Sequence, residues 1–257
     1  MPFTVRNGVQ LYYDASGQGT PVLYHTGGGG DGRMWSLAGY TQATSGCRNI
    51  VMDHRGHGRS DAPSSLEDHE LGEYVADLFA VLDDAGVERS VVIGYSGGAR
   101  ISTAAAAAHP DRFLALACIG YVPSDTDEGG LELAAEVRRI GMRKLMEEYA
   151  AVESEVPPAW LIDNLATTTS EMFVLCLEAR RSTNNWDCLA QITAPVLLVS
   201  GTEESSISDL DAAIERIARC QGMRLDGYGH LQTFWHAEVT APLIVDFLRS
   251  QVPNFSG

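Results

Sequence analysis

Positive charge is scarce in this chain. Its 257 residues hold 18 Lys and Arg against 34 Asp and Glu, a formal net charge of −16 at pH 7. Such a surface repels phosphate backbones and anionic lipid, so neither nucleic acid nor a membrane is expected as a partner. The acidic residues are spread along the chain and form no tail, the pattern of a solubilising surface. Long apolar runs are missing too: none approaches the roughly 18 residues that a membrane span needs. Residues 1–14 lack a basic stretch leading into an apolar one, and no signal peptide is expected. Cysteine is sparse, with five residues (Cys47, Cys118, Cys176, Cys188, Cys220) and no CxxC or His-Cys spacing. An odd, scattered set implies neither a disulfide frame nor a zinc site and fits reduced thiols in a cytoplasm. No G-K-[ST] follows the glycine runs, and none has GxGxxG spacing before a helix, which removes a phosphate-cradling loop.

What is present is an alternation of short apolar strands and helical spacings. "FTVRNGVQLYYDASGQG" alternates around Asn7-Gly8 and reads as a tight β-hairpin. "PVLYHTGGGG" is a strand ending in four glycines, and "RNIVMDHRGHGRSD" is a strand entering a polar glycine loop. Leu71, Val75, Leu78, Phe79 and Leu82 recur at helical intervals up to Gly86. "SVVIGYS", the alanine-rich "GGARISTAAAAAHPDRF" and "LALACIGYV" then read as strand, helix, strand. This order predicts an α/β fold with a mostly parallel sheet flanked by helices. From Pro123 to about Trp186 only helical patterns occur, and strands resume with "APVLLVSGTEESSI", the helix "DLDAAIERIARC", a weak strand at residues 223–225 and a last helix. The expected division is a core of residues 1–123 and 188–257 and a helical cap, or lid, of residues 124–187.

Gly94-Tyr95-Ser96-Gly97-Gly98 fits G-x-S-x-G between a strand and a helix. In that setting the turn presents the serine hydroxyl at the sheet rim, and the helix behind aims its first amides and positive dipole end at it. A serine hydroxyl is a weak nucleophile and needs a base. Of seven histidines, His230 sits in the glycine-flanked "LDGYGHLQTF", late enough to return to the carboxyl edge of the sheet. His236 begins a helix, His109 ends one, and His69 lies in an acidic loop where a solvated ring is expected. The third member should be a carboxylate after "APVLLVS". Glu204 fits the order Ser, acid, His; Glu203 and Asp125 remain alternatives. An oxyanion would need two N–H donors, from Gly97 after the nucleophile and from the glycine run after "PVLYH", where Gly27 is the candidate.

"LYHTGGGGDGRMW", "DHRGHGRSD", "GYSGG", "SGTEE" and "GYGH", in this order, resemble the α/β-hydrolase superfamily over nearly the whole length. This chain has His25-Thr26 where His-Gly is usual, and Glu204 where Asp is commoner. The D-x-R-G-x-G-x-S run at 53–60 is, by the resemblance, a structural turn, so His54, Arg55 and His57 are not assigned to the chemistry. Resemblance and residues together imply acyl transfer to water: Ser96 as nucleophile, His230 as base, Glu204 as its partner, Gly27 and Gly97 as oxyanion donors, and no metal or organic cofactor. Met142, Met146, Trp160, Met172, Phe173 and Trp186 make the cap apolar; most are expected to pack internally and some to line a pocket. The expected substrate is a small to medium apolar ester, lactone or thioester. Carbon–carbon bond hydrolases, cofactor-free peroxidases and dioxygenases, and a non-catalytic ligand receptor stay open on the same fold, as does a homo-oligomer.

Overall fold

Asn7 and Gly8 take φ of 50° and 82°, the positive values that close a two-residue turn. They join β1 (Phe3–Arg6) and β2 (Val9–Ser16), whose register pairs Arg6 with Val9. A computed structural model gives the fold and describes residues 3–124, 130–179 and 185–257. Among these, eight strands form one sheet in the order β1-β2-β4-β3-β5-β6-β7-β8. The others are β3 (Pro21–His25), β4 (Arg48–Met52), β5 (Ser90–Tyr95), β6 (Phe113–Ile119), β7 (Val196–Gly201) and β8 (Cys220–Leu225). The first two strands join antiparallel at the edge, and β4 through β8 run parallel with β3.

Strand alternation sends apolar side chains to both faces. Tyr24, Ile93, Ala117 and Val199 enter one core cluster, while Leu23, Val92, Leu116 and Leu198 enter the other. The first face is covered by α1 (Arg33–Ala38), α2 (Tyr40–Ala43), α10 (Gln232–Trp235) and α11 (Ala237–Gln251). The second is covered by α3 (Leu71–Asp84), α4 (Gly97–Ala108) and α9 (Leu210–Arg216). Small side chains at Ala99, Ala105 and Ala106, all buried, let α4 lie close on the sheet.

Between β6 and β7 lie α5 (Gly130–Ile140), α6 (Met142–Val152), α7 (Ala159–Leu165) and α8 (Ser170–Ala179). The two helical stretches of the sequence are each broken. Gly141, at φ 84°, separates α5 from α6, and residues 166–169 separate α7 from α8. The weak strand expected at 223–225 is instead six residues long, starting at Cys220. All six pair with β7, and the preceding helix stops at Arg216 rather than running on to Cys220. Tertiary pairing outweighs the poor strand propensity of Gln221, Gly222 and Arg224.

The chain leaves β3 for β4 on one side and returns to β5 on the other. Such a reversal opens a crevice at the carboxyl ends of the strands. Among the described residues no helix is long and apolar enough to cross a membrane.

Candidate active site

Ser96 follows β5 directly and takes φ 51°, ψ −116°, a backbone region that costs a side-chain-bearing residue about 1–3 kcal/mol. The surroundings hold it there. Its N–H donates to the Ile119 carbonyl at 2.9 Å, and its carbonyl accepts the Arg100 N–H at 3.0 Å. A Cβ at Gly98 would strike the carbonyl oxygens of His25 and Thr26, and one at Gly94 would lie 2.6 Å from Ala99 Cα. Glycine at both positions lets β3, β5 and the first turn of α4 pack backbone to backbone. The Gly97 amide sits in that first turn, where helix geometry supplies no acceptor.

His230 arrives on the loop after β8. Its Nε2 is 3.1 Å from Ser96 Oγ, and its Nδ1 is 2.9 Å from Glu204 Oε2. Tyr95 stacks on the imidazole, with ring centroids 5.2 Å apart and planes at 26°, and its hydroxyl donates to the His230 carbonyl at 3.3 Å. The His230 side chain is 40% exposed, whereas that of Glu204 is 5% exposed. Glu204 Oε1 accepts the Gly201 N–H at 2.8 Å and the Thr233 hydroxyl at 3.0 Å. Burial pushes this carboxyl up, but His230 and the bonds from Gly201 and Thr233 outweigh it and hold the pKa below the usual carboxylate value. Of the two alternatives for the acid, Glu203 is exposed, and Asp125 lies outside the described residues.

Gly27 follows β3 and faces the serine: a Cβ on it would come within 3.3 Å of Ser96 Cβ. Its loop is pinned on both sides. Gly28 O accepts from His57 Nε2 at 2.8 Å, and the Gly30 N–H donates to Thr168 Oγ1 at 2.9 Å. Gly27, Ser96, Gly97, Glu204 and His230 all border one cavity of about 400 Å³. Leu133, Met142, Met146, Tyr149, Leu165 and Phe173 form its apolar wall, and Arg100, Ser205 and Ser206 add polar groups. Trp160, Met172 and Trp186 do not border it; Trp186 packs under the Arg216 guanidinium, 4.4 Å from the ring centroid.

The other histidines are placed elsewhere. His69 is 1% exposed and bonded to Tyr74 Oη at 2.6 Å and Pro63 O at 2.8 Å; the solvated ring expected from its acidic neighbours is wrong, because α8 covers it. His25 is fully buried, and burial, then His57, push its pKa down to about 3, so it is neutral. His109 is exposed and edge-on to Phe79. His236 lies between Glu155 and Glu238. Arg55 forms a bidentate pair with Asp77, both fully buried. Among the described residues no group of three or more His, Cys, Asp or Glu could hold a metal ion, and none of the five cysteines is in a disulfide.

Nothing local in the sequence marks Tyr95 or Thr233, and His57 is legible only as part of the structural turn at 53–60. Their work is done across 29 to 135 residues of chain, and no periodicity marks it.

Residues 20–172 match the family model described as alpha/beta hydrolase fold. The chain is 28% identical to a non-heme chloroperoxidase of Streptomyces lividans, covering 96% of this chain and 99% of that one. Among solved structures it is similar to the enol-lactonase from Burkholderia xenovorans LB400, with TM-score 0.82, 25% identity and coverage of 96% and 99%. A thermophilic esterase from Thermogutta terrifontis shares the fold at TM-score 0.82 and 23% identity, covering 97% of each chain.

Proposed function

The chain belongs to the alpha/beta hydrolase fold family, and from that premise we propose that it is a serine hydrolase. Its substrate is a small to medium apolar ester, lactone or thioester. The observation that carries this reading is the continuous chain of hydrogen bonds Glu204–His230–Ser96 at the rim of the sheet. Ser96 Oγ attacks the substrate carbonyl while its proton passes to His230 Nε2. The negative charge on the carbonyl oxygen is held by the Gly27 and Gly97 amides. As the intermediate collapses, the alcohol or thiol leaves with the proton from His230. Water then gives a proton to the same ring and adds to the acyl-enzyme; as the bond to Ser96 Oγ breaks and the acid leaves, the serine takes that proton back from His230.

We read residues 124–187 as a cap over a core of 1–123 and 188–257. Its α5, α6, α7 and α8 each supply apolar wall to the cavity, which suits an apolar acyl or ring group. The resemblance to an enol-lactonase at 25% identity favours a lactone among the three bond types.

The likeness to the Streptomyces lividans chloroperoxidase supports a second reading, a peroxide-dependent activity at the same serine. A panel of p-nitrophenyl esters of increasing acyl length, with lactones beside it, tests the first reading in wild type and Ser96→Ala. Turnover in wild type that Ser96→Ala abolishes is expected. A folded wild type inert on the whole panel, yet active with hydrogen peroxide and halide, moves the assignment to the second.

A further inference from the structure

The three residues that follow α6 all bond to the stretch from Leu231 to His236, just past His230. Glu153 Oε1 accepts the Leu231 N–H at 3.0 Å. Ser154 Oγ lies 3.2 Å from Gln232 Oε1 and accepts from Gln232 Nε2 at 2.9 Å, while the same Oε1 accepts the Gly229 N–H at 3.0 Å. Glu155 Oε2 is 3.0 Å from His236 Nε2. The chain on either side of His230 is thus tied to one short segment between β6 and β7. Glu153 Oε2 is buried with no hydrogen-bond partner. It lies against Gly229, where an added Cβ would collide with Glu153 Oε2 and press on Oε1. Glycine at 229 therefore admits a carboxylate against the backbone next to His230. The same α6 contributes Met142, Met146 and Tyr149 to the cavity wall.

We propose that Glu153 is a positioning residue for His230: it anchors the His230 loop through the Leu231 amide and sets a second negative charge, beside that of Glu204, near the imidazole. The inference rests on the reading of Ser96, His230 and Glu204 as a catalytic triad. One carboxylate then fixes the ring through Nδ1, and the other fixes the loop and favours the imidazolium that forms when Ser96 loses its proton.

The groups facing His230 include Glu204 after β7, Tyr95 and Ser96 at the end of β5, and Glu153 after α6; Arg100 of α4 borders the same cavity. Burial raises the Tyr95 hydroxyl well above its ordinary value, so it stays neutral. Facing Glu153 are His230, Glu204 and the Tyr95 hydroxyl. Burial raises its carboxyl, and the Leu231 amide, His230 and the Gln232 amide oppose that rise. An anion near a ring stabilises the protonated ring, so removing it lets His230 lose its proton at lower pH.

Two variants separate anchoring from charge. Glu153→Gln keeps an oxygen for the Leu231 N–H and removes the charge; Glu153→Ala removes both. The His230 ring is titrated by NMR in wild type and both variants, and the acid limb of kcat/KM is followed on an activated ester. In Glu153→Gln the His230 pKa is expected to fall by about half a unit or more, with the acid limb moving down alongside it. In Glu153→Ala kcat is expected to fall about tenfold or more, with KM changed less, because the base is misplaced. An unchanged His230 titration in Glu153→Gln overturns the proposal, whatever Glu153→Ala does to turnover. An unchanged kcat in Glu153→Ala overturns the anchoring. The titration needs no turnover, so it decides Glu153 even if wild type proves inert, an outcome that would count against the triad reading instead.

Discussion

His230 Nδ1 lies 2.9 Å from Glu204 Oε2, while the Gly201 amide and the Thr233 hydroxyl hold Glu204 Oε1. With both oxygens held, the carboxylate fixes which ring nitrogen carries the proton and leaves Nε2 as the acceptor facing Ser96. Glu204→Gln keeps the volume but offers Nδ1 an N–H, which favours the wrong tautomer. The expected loss in kcat is on the order of 10⁴-fold, with a much smaller change in KM. Steady-state kinetics on an activated ester measure it.

The same carboxyl links stability to acid. Its folded pKa is depressed below the ordinary glutamate value of 4.5, so between the two values the unfolded chain binds more protons than the folded one. Stability therefore rises with pH through that window. The contribution is complete above 4.5 and is lost as pH falls through the folded value. Urea midpoints measured below pH 5 should fall more steeply for wild type than for Glu204→Gln, the difference vanishing near neutrality apart from a constant offset. Parallel curves would show that Glu204 is not the group responsible.

The serine turn is built on backbone contact, and Gly98→Ala tests it. An added methyl meets the carbonyl oxygens of His25 and Thr26, which are parts of a core strand end and cannot rotate away. Overpacking of this kind costs about 3 kcal/mol, a drop in Tm of about 6–12 °C for a domain of this size. Calorimetry reads it, and kcat should fall with stability because β3 and Ser96 are pushed apart.

His57 faces two carbonyl oxygens, Arg55 O from Nδ1 at 3.0 Å and Gly28 O from Nε2 at 2.8 Å. The second bond holds the loop that offers the Gly27 amide. His57→Phe keeps a ring of similar size and deletes that bond. A loss in kcat of about tenfold is expected, smaller than the ~10²–10³ for deleting an oxyanion donor itself. KM for a short-chain ester should stay nearly constant; a change confined to KM would place His57 in substrate binding instead.

Much of the architecture was legible because it is written in local chemistry. Asn7-Gly8 favours a tight turn, the unbroken apolar runs from Val22, Val91, Leu116 and Val196 fit strands buried on both faces, and Gly94 and Gly98 flank Ser96 where a helix begins. Glu204 could be named from chain order, but its separation from Glu203 needed the turn after β7, which buries one side chain and exposes the other. His69 misled because Glu67 and Glu70 beside it are exposed while its own ring turns inward beneath α8. The Cys220–Leu225 strand was underestimated because pairing with β7, not propensity, makes it. The stacking of Tyr95 on His230 and the bond from Glu153 to Leu231 span 135 and 78 residues of chain. Nothing in local spacing announces such contacts.

Reaction with a fluorophosphonate probe tests the central claim most directly. Intact-mass and peptide analysis of wild type should show a single adduct on the peptide that contains Ser96. Ser96→Ala should take none, and His230→Ala should react at least about 10²-fold more slowly, since the hydroxyl has lost its base. A folded wild type that stays unlabelled, or an adduct mapping to another serine, contradicts the account.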